Sequence, residues 1–251
     1  MSRQTGGKTV YGASVGILML ETQFPRIPGD MGNAMTWPFP VQYRVVRGAS
    51  PDRIVRGDPH TLLDGFVEAG RDLIAMGCDG ITTNCGFLSL VQSELHAALG
   101  VPVATSSLMQ VPMVQAMLPP GRKPVILTIS KATLTPDHLS AAGVPPSTPV
   151  YGTDTGCAFT RDILGDAAEI DFEACRQDML DAADAIVAGE PDAGAIVLEC
   201  TNMVPYAADI RHRTGLPVFS IYTMIQWFQA SLLPRRFPSG IDDPRPGHQT
   251  G

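Results

Sequence analysis

The chain repeats itself. The segment Gly80-Ile-Thr-Thr-Asn-Cys85 aligns with Ala195-Ile-Val-Leu-Glu-Cys200 at an offset of 115 residues, and the same offset carries Gly100-Val-Pro-Val103 onto Gly215-Leu-Pro-Val218 without a gap. Each half therefore reads strand, cysteine, helix, Gly-apolar-Pro-Val strand, helix, and a duplicated unit of this length builds two related lobes. Apolar, β-branched runs at 15–20, 41–46, 80–83, 101–105, 125–129, 149–152, 195–198 and 218–221 predict strands. Amphipathic helices lie between them: one opens at Asp58 and Pro59 with Leu63, Val67, Gly70 and Ile74 on one face, another runs from Asp171 through Cys175, Met179, Ala182 and Ile186. Strands alternating with helices predict an α/β chain of two pseudo-symmetric lobes, each a parallel four-stranded sheet flanked by helices, with the active site in the cleft between them. Residues 1–107 with 221–237 are expected to form the lobe carrying Cys85 and residues 108–220 the lobe carrying Cys200. The Pro-, Gly- and Asp-rich tail, 238–251, is expected to be disordered.

Composition narrows the function. With 251 residues, 44 % of them hydrophobic, the chain buries a core without disulfides. Its 18 basic against 25 acidic side chains give a net charge of −7, opposite to the footprint of a nucleic-acid binder. No run approaches the ~20 apolar residues of a membrane span, and no targeting segment is visible, so a cytoplasmic protein acting on a small molecule is expected. Five cysteines without a CxxC pair and five histidines without an HExxH pair predict reduced thiols and no metal. No glycine-rich phosphate loop is complete, and no cofactor is expected. Gly12-Ala-Ser14-Val-Gly16 matches a nucleophile elbow in form, but a strand follows the serine where the elbow needs a helix.

The chemistry points to the repeated cysteines. Cys85 and Cys200 each fall at the carboxyl end of a strand and just before a helix, where open α/β sheets bind ligands. The unpaired N–H groups of a first helical turn favour a thiolate and also bind a carboxylate. A pseudo-twofold places the two thiols on opposite walls of one cleft, flanked by the small polar residues Asn84, Gly86, Thr201 and Asn202. The irregular stretch 23–42, rich in Pro and Gly, is long enough to act as a lid, which makes Arg26, Asp30 and Asn33 candidates.

At Asn84-Cys85-Gly86 and Glu199-Cys200-Thr201-Asn202 the sequence resembles the aspartate/glutamate racemase superfamily, which includes hydantoin racemases, maleate isomerases and arylmalonate decarboxylases. The resemblance implies two lobes with one cysteine from each flanking the substrate, no cofactor and a possible homodimer. Glutamate racemases follow their cysteines with Asn-Thr and Thr-His and end their first strand with Asp-Ser. Here Gly86-Phe87, Thr201-Asn202 and Glu21-Thr22 stand in those places. Glu21 and Thr22 are accordingly expected to read the substrate's amino or amide group. The activity implied is a cofactor-independent racemase or epimerase of amino acids, hydantoins or related small carboxylates, an isomerase in which Cys85 and Cys200 exchange protons with opposite faces of one carbon. The alternatives are a maleate-type cis-trans isomerase or a decarboxylase on the same fold, a non-catalytic binding module, and a Cys-His hydrolase using His96 or His138.

Overall fold

The computed structural model describes residues 3, 5–154 and 158–237. The tail at 238–251 and Cys157 lie outside the described residues. Two four-stranded sheets, parallel throughout, form the frame.

The first lobe runs β1 (Val15–Leu20), β2 (Val41–Val46), α1 (Pro51–Val55), α2 (Leu63–Met76), β3 (Gly80–Thr83), α3 (Gln92–Leu99) and β4 (Val103–Ala104), with sheet order β2-β1-β3-β4. The second follows α4 (Val111–Met117) with β5 (Lys123–Thr128), α5 (Pro136–Ala141), β6 (Val150–Gly152), α6 (Phe159–Leu164), α7 (Phe172–Gly189), β7 (Ala193–Leu198), α8 (Ala207–Thr214) and β8 (Val218–Phe219), in the order β6-β5-β7-β8. The two orders are the same pattern offset by four strands. Central strands β1 and β3 are buried along their whole length, as parallel strands covered on both faces must be.

The repeated Gly-apolar-Pro-Val motif has a backbone cause. Gly100 and Gly215 end α3 and α8 in the left-handed region, at φ 65° and 71°, where a residue with a Cβ is strained. The prolines two positions on cannot extend a helix, and their carbonyls accept from Ile81 and Ile196 of the neighbouring strands. This pairing confines the strands expected at 101–105 and 218–221 to Val103–Ala104 and Val218–Phe219. Ile221 instead opens α9 (Ile221–Leu232), because Ser220 and Thr223 form a reciprocal cap there. Helix α9 returns to the first sheet, where Ile221, Met224, Ile225 and Phe228 pack with Val15, Ile17 and Met19.

Asp58 caps a single 3-10 turn, Pro59–Leu62, before α2 begins. Asp171 caps α7 through the N–H groups of Glu173 and Ala174, and Cys175, Met179, Ala183 and Ile186 line its buried side. Ser14 lies directly before β1 and not after a strand, so it forms no nucleophile elbow. Among the described residues no helix is long and apolar enough to cross a membrane.

Candidate active site

Both cysteines cap the turn that follows their strand. Cys85 precedes a 3-10 turn at Gly86–Val91 and Cys200 one at Thr201–Tyr206, each with extended backbone angles that swing the chain from strand into turn. The two strand ends meet. Thr201 Oγ1 donates to the backbone carbonyl of Asn84 at 2.6 Å, and Ser107 Oγ donates to that of Leu198 at 2.5 Å, so the lobes are stitched together beside the thiols.

The cysteines share one cavity of about 350 Å3, at the small end of ligand sites. Asn84, Gly86, Thr201, Asn202 and Thr22 line it with them, so most of the side chains expected at a site are brought together. Glu21 is not among them. Its carboxylate turns outward to Arg47 at 2.8 Å and to the N–H of Gly48 at 2.7 Å, which sets it apart from Thr22 one residue later. The rest of the wall is apolar, from Leu20, Phe24, Val55, Phe87, Ile129 and Ile163.

The loop ahead of β2 supplies the one cation among the described residues of that wall. Arg26 pairs with the buried Asp30 at 2.6 Å, donates to Thr22 Oγ1 at 2.9 Å and lies over the Phe24 ring. Asp30 in turn accepts from Asn202 Nδ2 at 2.6 Å, and Asn202 Oδ1 accepts from the Cys200 thiol at 3.7 Å. A chain of polar contacts thus runs from loop to thiol. Asn33 stays outside, capping the turn Ala34–Thr36 and holding the Arg26 carbonyl through Nδ2. Trp37, stacked on Tyr222 of α9, pins the far end of the loop.

Burial sets the electrostatics. It pushes the Cys85 thiol up to about 12, aided by nearby Glu199, while the N–H groups of Phe87 and Leu88 pull the other way. Cys200 is raised well above the ordinary thiol range by burial, then by Glu199, with the Asn202 N–H alone among backbone donors opposing. The lobes therefore differ, since Cys85 has two amide donors for a thiolate and Cys200 has one.

Glu199 was not expected as a site residue. It is 1 % exposed, lines the cavity, and burial raises its carboxyl to about 7. Oε2 accepts from Thr128 Oγ1 at 2.7 Å, but buried Oε1 has no hydrogen-bond partner among the described residues. The signal in the sequence is a charged residue ending the apolar strand Ala195-Ile-Val-Leu, at the repeat position of Asn84. Gly86 fits closely against it: a Cβ there would lie 2.1 Å from Glu199 Oε1 and 2.5 Å from its backbone oxygen.

The histidines stand apart. His138 is buried against the Phe87 ring and caps its own helix with Thr135, and burial lowers it to about 4, but it does not line the cavity. His96 lies on α3 and does not line the cavity. Cys175 is held in the α7 core and Cys78 in the turn before β3, so neither joins the pair.

Solved structures with this architecture include an arylmalonate decarboxylase variant (TM-score 0.57, 14 % identity, 90 % of this chain and 97 % of that one) and the Picrophilus torridus aspartate racemase (TM-score 0.57, 14 % identity, 90 % and 96 %). Glutamate racemase from Francisella tularensis also superimposes, at TM-score 0.55, 13 % identity, and 90 % and 85 % coverage. This chain has the fold of the aspartate/glutamate racemase superfamily. No family model matches the sequence. Curated relatives are dimethylsulfoniopropionate lyases: one from Durusdinium sp. clade D is 29 % identical over 94 % of this chain and 81 % of its own length. Lyases 7 and 3 from Emiliania huxleyi are 29 % and 28 % identical over 88 % of this chain, which spans 67 % and 60 % of their lengths. These names correct the expected activity. A racemase or other isomerase was implied by two thiols on one fold, but the sequence relatives along most of the chain carry the name of a lyase.

Proposed function

We propose that the chain is a lyase that removes a proton from the carbon next to a carboxylate and expels the group on the following carbon, with dimethylsulfoniopropionate as the substrate to test first. The observation that carries this reading is the small cavity itself, which sets two buried thiols against a guanidinium in a mostly apolar wall, in a chain whose relatives are named for that lyase activity.

In this reading Cys85 is the base, because two backbone N–H groups favour its thiolate. Arg26 faces the substrate carboxylate with N–H groups that Asp30 and Thr22 leave free. The C–H bond breaks as its proton passes to the Cys85 sulfur, and the electron pair forms the carbon–carbon double bond. The carbon–sulfur bond breaks and its pair leaves with sulfur. Dimethyl sulfide and acrylate result, and Cys85 returns the proton to solvent. Charge building on the carboxylate is what a positioned guanidinium stabilises, a contribution of roughly 3 kcal/mol by analogy with oxyanion holes. Cys200, tied to Asn202, forms the opposite wall and stays a thiol. The four described cysteines are free and buried, which suits a reducing compartment such as the cytoplasm.

The test is direct. Purified protein incubated with dimethylsulfoniopropionate is expected to release dimethyl sulfide into the headspace and an equal amount of acrylate into solution. Release of neither, across pH 6 to 9, contradicts the proposal.

A further inference from the structure

The two lobes end their central strands in the same way with different chemistry. Asn84 takes the Leu18 carbonyl through its backbone N–H and accepts the Leu20 N–H on Oδ1 at 2.8 Å. Glu199, its repeat partner, takes the Leu127 carbonyl and accepts the Ile129 N–H and the Thr128 hydroxyl. Leu18 and Leu20 correspond to Leu127 and Ile129, so the structural task is identical. An amide performs it in the first lobe. A glutamine would perform it in the second without burying a carboxylate beside an apolar wall, where the charge and its unpaired Oε1 are costly. The acid is therefore explained by the cavity and not by the strand.

Its surroundings say what it lacks. The cation in the described wall, Arg26, is committed to Asp30. The groups near Glu199 are the Cys85 thiol and Gly86 from the other lobe and the thiol of its own neighbour Cys200; the thiols carry no positive charge, and Gly86 brings only backbone. We propose that Glu199 is the specificity-determining residue for a positively charged end of the substrate, its unpaired Oε1 facing an onium group while Arg26 faces the carboxylate. The inference rests on the lyase reading and deepens it: the substrate class becomes zwitterionic β-onium carboxylates, as against dicarboxylates or neutral side chains. A cation drawn to Glu199 also relieves the repulsion that this carboxylate exerts on both thiols, so substrate binding itself favours a thiolate.

Two compounds of one shape separate charge from packing: 3-(trimethylammonio)propionate and its uncharged isostere 4,4-dimethylpentanoate. Calorimetric titration of the wild-type protein at pH 8 is expected to show the ammonium compound binding roughly 30-fold tighter or more. Glu199→Gln, which keeps the bonds to Thr128 and Ile129, is expected to bring the two within about threefold while leaving the neutral compound's affinity unchanged. The wild type supplies a second measurement that needs no variant. Its preference shrinks below pH 7 as the carboxyl takes up its proton, a range in which the thiols stay neutral. The proposal is overturned by a preference that survives in the glutamine variant, by a wild-type preference that does not change with pH, or by a wild type that binds neither compound. Elimination of dimethylsulfoniopropionate, measured separately, tells these outcomes from failure of the lyase reading. An enzyme that releases dimethyl sulfide but keeps its preference without Glu199 is a lyase that reads the cation elsewhere.

Discussion

Around the cleft, the first lobe contributes an amide, a glycine and a cysteine with two amide donors, where the second contributes an acid, a threonine and a cysteine with one. The backbone bonds at the two strand ends are equivalent. Gly86 packs against the Glu199 carbonyl as its repeat partner Thr201 bonds the Asn84 carbonyl. Symmetry thus builds the cleft, and departures from symmetry make its two walls chemically different. A racemase has reason to keep both walls alike, because its substrate and product are mirror images. An elimination needs one base, one grip on the carboxylate and one place for the leaving group, and the proposed function assigns these to a divided pair of walls.

Substitution of the cysteines has the largest expected effect. Cys85→Ser is expected to lower turnover about 10³-fold or more, the scale of a lost general base, whereas Cys200→Ser lowers it about tenfold by altering the opposite wall. Rates of dimethyl sulfide release decide this, and equal losses contradict the division. Next comes the close approach of the lobes. Gly86→Ala forces a methyl into the Glu199 backbone oxygen and carboxylate, and is expected to cost about 1–3 kcal/mol of stability in urea unfolding, together with most of the activity.

Glu199 makes the second wall sensitive to pH. Its carboxyl, raised by burial from 4.5 to about 7, binds its proton more tightly folded than unfolded. The ligand-free wild type therefore loses stability as pH rises from about 4.5 to about 7, on the order of 3 kcal/mol, and is flat beyond. Glu199→Gln is expected to remove that slope and to match or exceed the wild type at pH 8. Thermal or denaturant unfolding across this range checks it, and an unchanged slope refutes the assignment. The smallest effect belongs to the stitch between the lobes: Thr201→Val leaves the buried Asn84 carbonyl without its 2.6 Å donor, for a loss of about 1–2 kcal/mol in urea unfolding.

Much of this was legible in the sequence because repeats and strand periodicity are local. The offset of 115 residues found the pair of cysteines, and the Gly-apolar-Pro-Val motif marked both helix ends. What the sequence hid depends on where side chains point. Glu21 and Thr22 are neighbours, yet one faces solvent and the other the cavity, because consecutive side chains leaving a strand alternate sides. Glu199 reads as part of a cysteine motif, and only the unpaired oxygen beside Gly86 separates it from a plain strand cap. The loop at 23–42 was marked by its prolines, but its delivery of Arg26 depends on contacts with Asp30, Thr22 and Trp37 that no pattern encodes. The activity was misread for a related reason, since a fold shared by racemases and a decarboxylase does not fix which reaction runs on it.

In the proposed reaction, proton removal by Cys85 opens the elimination. Single-turnover release of dimethyl sulfide from dimethylsulfoniopropionate, compared with substrate deuterated on the carbon beside the carboxylate, tests it most directly. The prediction is a slower reaction with the deuterated substrate in the wild type and in Cys200→Ser, and no measurable release from Cys85→Ser. Equal rates for the two substrates, or full activity without Cys85, would contradict it.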